Sequence, residues 1–287
     1  MLGHGQCGGV RAYADPGNKI WLGGREFDAK QLSYLDTDAV ATGNGVVFFD
    51  DGRPMLLDAT GTVSKLVTGK VDGGEGFHPT AKADARSPLV AWATRSGDTT
   101  TITVRNLDTG ADIASTTADC GRCSGMVIDA IDDGVVFVRD KQGTRTWDTA
   151  TDSWSDFAGP DTRVADVRNG VVLYDGPAPP PSGDWQLVNG PVDGLLTFDG
   201  NHVVAWSSTL QPTSPGDAPI VLSAGPRTEG QSFGWYAVDT DGSVLVATGT
   251  NYNDYTIQDC EIPSGACTRI GTLKPTGGDP AFIGVDM

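Results

Sequence analysis

Residues 126–157, MVIDAIDDGVVFVRDKQGTRTWDTATDSWSDF, contain four short apolar segments that are separated by turns. Runs of β-branched and aromatic residues of this length, bounded by Asp, Gly and Ser, are typical of antiparallel strands. The sequence therefore predicts one four-stranded blade of a β-propeller. Its predicted strands cover residues 126–131, 135–139, 144–148 and 153–157.

The same pattern recurs along most of the chain, with loops of varying length. Each repeat has an apolar run that we assign to a second strand, and these runs begin at Val46, Leu89, Val135, Val171, Val203 and Val244. The last apolar run, at residues 281–286, has no partner of its own. If it pairs with the strand candidates at residues 10–14, 19–22 and 26–34, it closes the ring and covers its free edges.

These repeats predict an all-β fold in which residues 1–287 form a single β-propeller domain. We expect seven four-stranded blades, with residues 1–9 irregular. Six blades are the alternative, because prolines at residues 177–181 and 212–219 interrupt the fifth and sixth repeats.

Composition and charge restrict the classes of partner. The chain has 39 Gly and 17 Pro among 287 residues, which suits short strands and tight turns better than long helices. Its formal charge of −17 would repel nucleic acid and anionic lipid headgroups. No run approaches the ~18 apolar residues of a spanning helix. We therefore expect neither nucleic-acid binding nor membrane insertion.

Cysteine placement bears on the cellular compartment. Cys260 and Cys267 flank a predicted hairpin turn, where opposed positions have the spacing that a disulfide requires. Cys120 and Cys123 are separated by two residues, and a short-loop disulfide, a redox pair and a zinc pair are the alternatives. Cys7 is left over as a free or intermolecular thiol. Disulfides favour an extracytoplasmic protein, although no export signal is visible at the start of this sequence.

One segment carries a family resemblance. Residues 198–208, FDGNHVVAWSS, have an Asp-Gly turn that leads into an apolar strand ending in Ser. This segment resembles the repeat of TolB-like and related WD40-type bacterial propellers. The resemblance implies a secreted or periplasmic scaffold that binds partners, and it implies no catalytic residues.

Motifs for catalysis lack the context that they need. Residues 230–234, GQSFG, match the GxSxG nucleophile elbow, which requires a strand-to-helix turn and a later His. A strand is predicted after Ser232, and the last histidine, His202, precedes it. The alternative of a propeller lyase or glycosidase would need convergent carboxylates around a pocket. The abundant Asp residues leave that alternative open.

Aspartates recur near the first strand of six repeats, and first strands line the axis of a propeller. A ring of carboxylates there could bind a cation, and calcium is the one cofactor that we consider. The alternative is that each side chain caps backbone N–H groups of its own or a neighbouring blade. The residues are Asp38, Asp84, Asp129, Asp166, Asp193 and Asp239.

Long connections in the later repeats suggest where a partner binds. Residues 175–184, 207–219 and 248–255 are predicted as long loops of consecutive blades, which would cluster on one sector of one face together with residues 225–233. Exposed Tyr and Asn offer contact area and adaptable hydrogen bonds. The candidate partner-binding residues are Tyr252, Tyr255, Asn251, Asn253, Arg227 and Glu229.

These observations favour a non-catalytic, extracytoplasmic scaffold that binds a protein, peptide or glycan. The alternatives are a propeller enzyme and a structural module of a larger assembly. The true start of the gene and its neighbouring genes would separate these classes, through export and an adjacent partner.

Overall fold

The computed structural model describes most of the chain. The described residues are 12–15, 19–22, 25–28, 39–50, 52–68, 80–97, 99–119, 126–180, 183–205, 207–224, 232–251, 254–273 and 281–282. They contain 27 strands and no helix. Accordingly, no helix in this part of the chain could cross a membrane.

The strands form seven sheets, which we number as blades 1 to 7. Blades 1 to 4 contain the first fifteen strands and the last. Blade 1 has β1 (Ala12–Asp15), β2 (Lys19–Leu22), β3 (Arg25–Asp28) and the C-terminal β27 (Ala281–Phe282); blade 2 has β4 (Val40–Thr42), β5 (Gly45–Asp50), β6 (Arg53–Asp58) and β7 (Val63–Lys65); blade 3 has β8 (Ala81–Ala83), β9 (Leu89–Ser96), β10 (Thr99–Asn106) and β11 (Ala111–Asp119); blade 4 has β12 (Val127–Asp132), β13 (Val135–Asp140), β14 (Gly143–Asp148) and β15 (Ser153–Ala158).

Blades 5 to 7 contain the remaining eleven strands. Blade 5 has β16 (Arg163–Arg168), β17 (Val171–Asp175) and β18 (Gln186–Asn189); blade 6 has β19 (Leu195–Leu196), β20 (His202–Val204), β21 (Thr209–Pro212) and β22 (Ile220–Val221); blade 7 has β23 (Ser232–Val238), β24 (Val244–Asn251), β25 (Asp254–Cys260) and β26 (Cys267–Leu273).

The sheets are arranged as a β-propeller, as the repeats predict. The innermost strands β4, β8, β12, β16, β19, β23 and β27 contact one another in that order. The two ends of the chain meet in blade 1, where β27 pairs antiparallel with β1 through Tyr13–Phe282 and Ala14–Ala281. The expected closure of the ring by the terminal strands is therefore confirmed.

Tight turns explain why the inner hairpins can be predicted from the sequence. In blade 4, Asp133 and Gly134 have φ of 50° and 77°, and in blade 5 Asn169 and Gly170 have φ of 54° and 78°. Two consecutive positive φ values define the type I′ turn, for which Asp-Gly and Asn-Gly are the preferred pairs. These turns fix the register of β12 with β13 and of β16 with β17.

The hydrophobic core is divided among the interfaces between blades. Between blades 3 and 4, Trp147 packs with Ala91 and Ile102. Between blades 4 and 5, Phe137 packs with Phe157 and Val172. Because blade 4 buries one face against blade 3 and the other against blade 5, its central strands are apolar on both sides, which accounts for the continuous β-branched and aromatic run at residues 135–138.

Blade 5 departs from the prediction of seven four-stranded blades. It has three strands, and β18 runs parallel to β17. The proline-containing connection at residues 176–185 therefore returns along the blade before β18 begins, since parallel neighbours need a crossover.

Candidate functional site

A cavity lies on the axis of the propeller, beside the innermost strands. Its volume is about 50 Å³, and it opens to solvent. Five consecutive blades contribute to its wall, through Val40, Lys82, Ala130, Arg163 and Leu195. A cavity of this volume admits a single small polar group and is well below the size of pockets that enclose whole ligands.

The charge of the cavity wall is the reverse of that of the chain. Three cations, Lys82, Arg163 and Arg168, line it together with two carboxylates, Asp166 and Asp193. The whole chain has 20 basic and 37 acidic residues. The wall therefore has a formal excess of one positive charge, and Arg168 within it is paired with Asp166.

Asp166 is held by three donors and has a structural role. The backbone N–H groups of Val167 and Leu196 both donate to its carboxylate at 2.9 Å, and so does Arg168 Nε. Leu196 belongs to the next blade, so this side chain ties blade 5 to blade 6. The expectation that an axial aspartate caps backbone groups of neighbouring blades holds at this position.

Asp129 lies in β12 at a β-bulge, where the register shifts between Ile128 and Ala130. Its carboxylate accepts two hydrogen bonds from Arg139 Nε, at 3.0 and 3.1 Å, and its side chain is 3% exposed. Burial raises the pKa of Asp129 to about 6, although Arg139, Lys82 and Arg163 act in the opposite direction. The cost of removing this carboxylate from water therefore exceeds the attraction of three cations.

Arg163 begins β16 and is exposed in the cavity wall. Within the described part of the chain, no hydrogen bond or ion pair engages its guanidinium. Five N–H donors in a rigid fork are consequently available to a ligand.

On the same wall, Asp193 lies near Tyr236, and burial together with this carboxylate raises the pKa of Tyr236. The hydroxyl is therefore a neutral donor at physiological pH. Tyr236 is 4% exposed and packs in the core between blades 6 and 7.

The other predicted axial aspartates lie in turns. Asp84 directly follows β8 and accepts the N–H of Arg86 at 2.8 Å, and Asp239 directly follows β23 and accepts the N–H of Thr240 at 2.6 Å. Asp38 falls outside the described residues. Among the described residues, no three His, Cys, Asp or Glu side chains form a group that could hold a metal ion. The calcium hypothesis therefore gains no geometric support here.

The predicted partner-binding loop in blade 7 is wrong. Residues predicted as a long loop continue β24 and β25, which pair up to Asn251 and Asp254 and leave a two-residue connection. Tyr255 lies in β25 and is 5% exposed, so its ring packs in the core and offers no contact area. The structure does not describe Tyr252, Asn253, Arg227 or Glu229, nor the side chain of Asn251.

The loop predicted for residues 207–219 also differs. β21 (Thr209–Pro212) lies within it, so the long connection at residues 213–219 joins the third strand of blade 6 to the fourth. Together with the crossover in blade 5, this means that the three long loops do not form one cluster of second-to-third-strand connections. The periodicity missed β21 because a proline ends it.

Other sequence candidates are placed as follows. A disulfide joins Cys260 to Cys267, with an S–S distance of 2.06 Å, across directly paired positions of β25 and β26. Cys7, Cys120 and Cys123 lie outside the described residues. Ser232 of the GxSxG match begins β23, so no strand-to-helix elbow exists at this serine. Trp92 and Trp147 are fully buried between blades.

Sequence reasoning missed Lys82 and Arg163 because isolated basic residues in first strands form no motif. The available signal was their position. Each lies in the first strand of its blade, and first strands surround the axis. Alignment of the repeats would therefore have placed both residues at the axis.

Comparisons with known proteins do not identify a relative of this chain. No family model matches the chain, and no curated protein matches it. Solved structures similar to it include the mitotic checkpoint complex (TM-score 0.42, 9% identity, 97% of this chain and 88% of the other) and the RRP9 WD40 repeats (0.37, 12%, 96% and 84%). A third is the major allergen Mala s 1 of Malassezia sympodialis (0.35, 10%, 84% and 79%).

Proposed function

We propose that this protein is a non-catalytic binding scaffold and that its ligand or partner group enters the axial cavity. The observation that carries the proposal is an axial cavity to which five blades contribute and in whose wall Arg163 is exposed. Protein, peptide and glycan partners all present polar groups that could reach this depth. The resemblance of residues 198–208 to TolB-like repeats supports the same class of function.

The cavity wall favours binding over catalysis. The carboxylate with a pKa near neutrality, Asp129, is covered by Arg139 and sits behind the cavity wall. Asp166 is engaged by three donors. A general acid or base must reach the substrate within hydrogen-bonding distance, and these two groups are already occupied by the fold.

We also propose that the protein works outside the cytoplasm. The Cys260–Cys267 disulfide supports this, because such bonds persist mainly in oxidising compartments. Alkylation of free thiols immediately on lysis of the source cells, followed by mass spectrometry, tests the assignment. Alkylation of both cysteines in freshly lysed cells would contradict it.

The cavity can be tested by filling it. Ala165 lines the cavity, and Ala165→Leu would place additional methyl groups there. Ala111→Leu is the matched control, because Ala111 is exposed on the outer strand of blade 3. Ligand-observed NMR with a panel of short peptides, glycans and organic acids identifies compounds that bind the wild-type protein.

We expect that binding of these compounds is lost in Ala165→Leu and retained in Ala111→Leu. Binding that is equal in the two variants would place the site elsewhere. Conversion of a bound compound into product during the same incubation would show an enzyme and would also contradict the proposal.

A further inference from the structure

We propose that the proline-rich segment at residues 176–180 is a docking ligand for a partner protein whose groove is lined by aromatic side chains and rimmed by basic ones. The segment is separate from the axial cavity, because none of residues 176–180 contributes to the cavity wall. It is thus a second binding surface, beyond the function proposed above.

Successive prolines dictate the backbone of this segment. The ring of proline holds φ near about −65°, and a residue that precedes proline is disfavoured in the helical region. Ala178, Pro179 and Pro180 each precede a proline in the sequence PAPPP at residues 177–181. Residues 178–180 therefore favour the polyproline II conformation, and the structure assigns neither strand nor helix to them.

The exposure of the prolines follows the period of this conformation. Polyproline II has three residues per turn, so residues three apart share one face. Pro177 and Pro180 are three apart and both are exposed, whereas Pro179 is buried. Pro179 therefore faces the protein, and the other two proline rings face solvent together. Two prolines with this spacing form the PxxP pattern that aromatic grooves bind.

The segment is anchored to the connection between blades 4 and 5. Gly176 has φ of 102°, and a Cβ there would overlap the carbonyl oxygen of Asp161, so the two backbones approach closely. The Thr162 hydroxyl donates to the carbonyl oxygen of Pro177 at 2.6 Å. Beyond the segment, Trp185 packs against the core between blades 4 and 5. A ligand that is held on both sides in this way loses little conformational entropy on binding.

The backbone of the segment has acceptors to offer. Within the part of the chain that the structure describes, the carbonyl oxygens of residues 178–180 accept no hydrogen bond. Trp N–H and Tyr O–H groups of an aromatic groove are donors that suit such oxygens. The segment therefore matches a groove of this kind in both its apolar and its polar groups.

Charge specifies the rim of the partner's groove. Asp175 and Asp184 flank the segment and are exposed, and the sequence has no Lys or Arg between residues 174 and 185. A groove with basic residues at its rim would be attracted to these carboxylates, and a groove with an acidic rim would be repelled. A second copy of this chain, with its formal charge of −17, is disfavoured for the same reason.

Isolated SH3, WW and EVH1 domains are the probes, because each binds polyproline II segments through an aromatic groove. The panel includes domains with basic and with acidic groove rims. Surface plasmon resonance on the immobilised full chain measures binding at about 50 mM and about 500 mM NaCl. We expect domains with basic rims to bind, and to bind more weakly at the higher salt concentration because exposed charges are screened.

Matched variants locate the contact. Pro177→Ala with Pro180→Ala removes the two outward rings, and Pro215→Ala with Pro219→Ala removes two exposed prolines from a loop of blade 6. We expect the first double variant to weaken binding about tenfold or more and the second to leave it unchanged. Ala165→Leu, which fills the axial cavity, should also bind normally.

Ala178→Pro tests the segment even if the first double variant fails to fold. Ala178 is exposed, so the variant keeps both outward rings, extends the run of prolines and should bind at least as tightly as the wild-type protein. No binding by any domain, equal binding by the two double variants, or weaker binding by Ala178→Pro would each overturn the proposed surface. Loss of domain binding in Ala165→Leu would also overturn it. Binding of small compounds in the axial cavity should be the same in the first double variant and the wild-type protein, so the two proposals fail separately.

Discussion

At the scale of single residues, burial of the Asp129 side chain near the axis destabilises its ionised form. The fold removes its carboxylate from water at a β-bulge and gives it Arg139 as a partner. The effect of burial exceeds that of the nearby cations, because the pKa of Asp129 rises from 3.8 to about 6. A raised pKa means that the folded state prefers the neutral acid, so ionisation of this group opposes folding.

Replacing Asp129 by Asn should therefore stabilise the protein near neutral pH. The stability that the neutral carboxylic acid of Asp129 contributes is fully present below its unfolded pKa of 3.8. It is lost as the pH rises through about 6. At about pH 7.5 the free energy of unfolding of the variant should exceed that of the wild-type protein by up to about 3 kcal/mol. This difference should shrink toward about pH 5. Urea unfolding at both pH values measures it; a gap that is independent of pH would refute this assignment.

Gly143 illustrates a constraint of backbone geometry. Its φ is 130°, and a Cβ at this position would overlap the carbonyl oxygen of Ala158. Gly143→Ala should cost at least about 2 kcal/mol in the free energy of unfolding, from strain and displacement of the strand. Gly159→Ala is the control, because a Cβ there meets nothing within 4 Å. Equal unfolding midpoints for the two variants would show that β15 moves freely.

At the scale of elements, Asp132 links neighbouring hairpins. Its side chain is 1% exposed and accepts the N–H groups of Asn169 and Gly170 in the next blade, at 3.0 and 2.8 Å. Arg86 reaches the same carboxylate at 3.4 Å from the preceding blade. One residue thus joins blades 3, 4 and 5.

Asp132→Asn should loosen the junction between blades 4 and 5. The amide keeps one acceptor oxygen but loses the charge, which should cost about 2–3 kcal/mol. Amide hydrogen exchange at Asn169 and Gly170 should accelerate more than exchange in blade 7. Asp133→Asn is a conservative control, because Asp133 is exposed and Asn tolerates its positive φ. Unchanged protection at Asn169 would contradict the bridging role.

The disulfide is a local element of blade 7. It closes a short loop, with a sequence separation of seven residues, so the entropy that it removes from the unfolded chain is modest. Cys260→Ala with Cys267→Ala should lower stability by about 2 kcal/mol. Exchange should increase mainly in β25 and β26, whereas a comparable increase in blades 3 and 4 would argue against a local role.

Strands could be predicted from the sequence wherever turn chemistry and apolar runs coincide. The four strands predicted within residues 126–157 lie within one residue of β12 to β15 at both ends. The strands of blade 6 were harder to predict, because β19 and β22 have two residues each and produce no periodicity. β18 was missed because a parallel pair gives no hairpin signal.

At the scale of the whole molecule, closure depends on segments far apart in sequence. β27 joins β1, and the inner strands then surround the axis in chain order. This arrangement brings Lys82 and Arg163 into one cavity although 81 positions separate them. The fold could be predicted because strands and turns are local, whereas the site depends on which side chains face the axis. No local pattern in the sequence specifies that.

The axial site is tested most directly by a crystal structure of the protein soaked with a compound that the NMR panel identifies as a ligand. We expect difference density for a polar group of that compound in the axial cavity beside Arg163, and its absence in crystals of Ala165→Leu soaked in the same way. Density for the compound only at other surfaces, with the axial cavity unoccupied, would contradict the account.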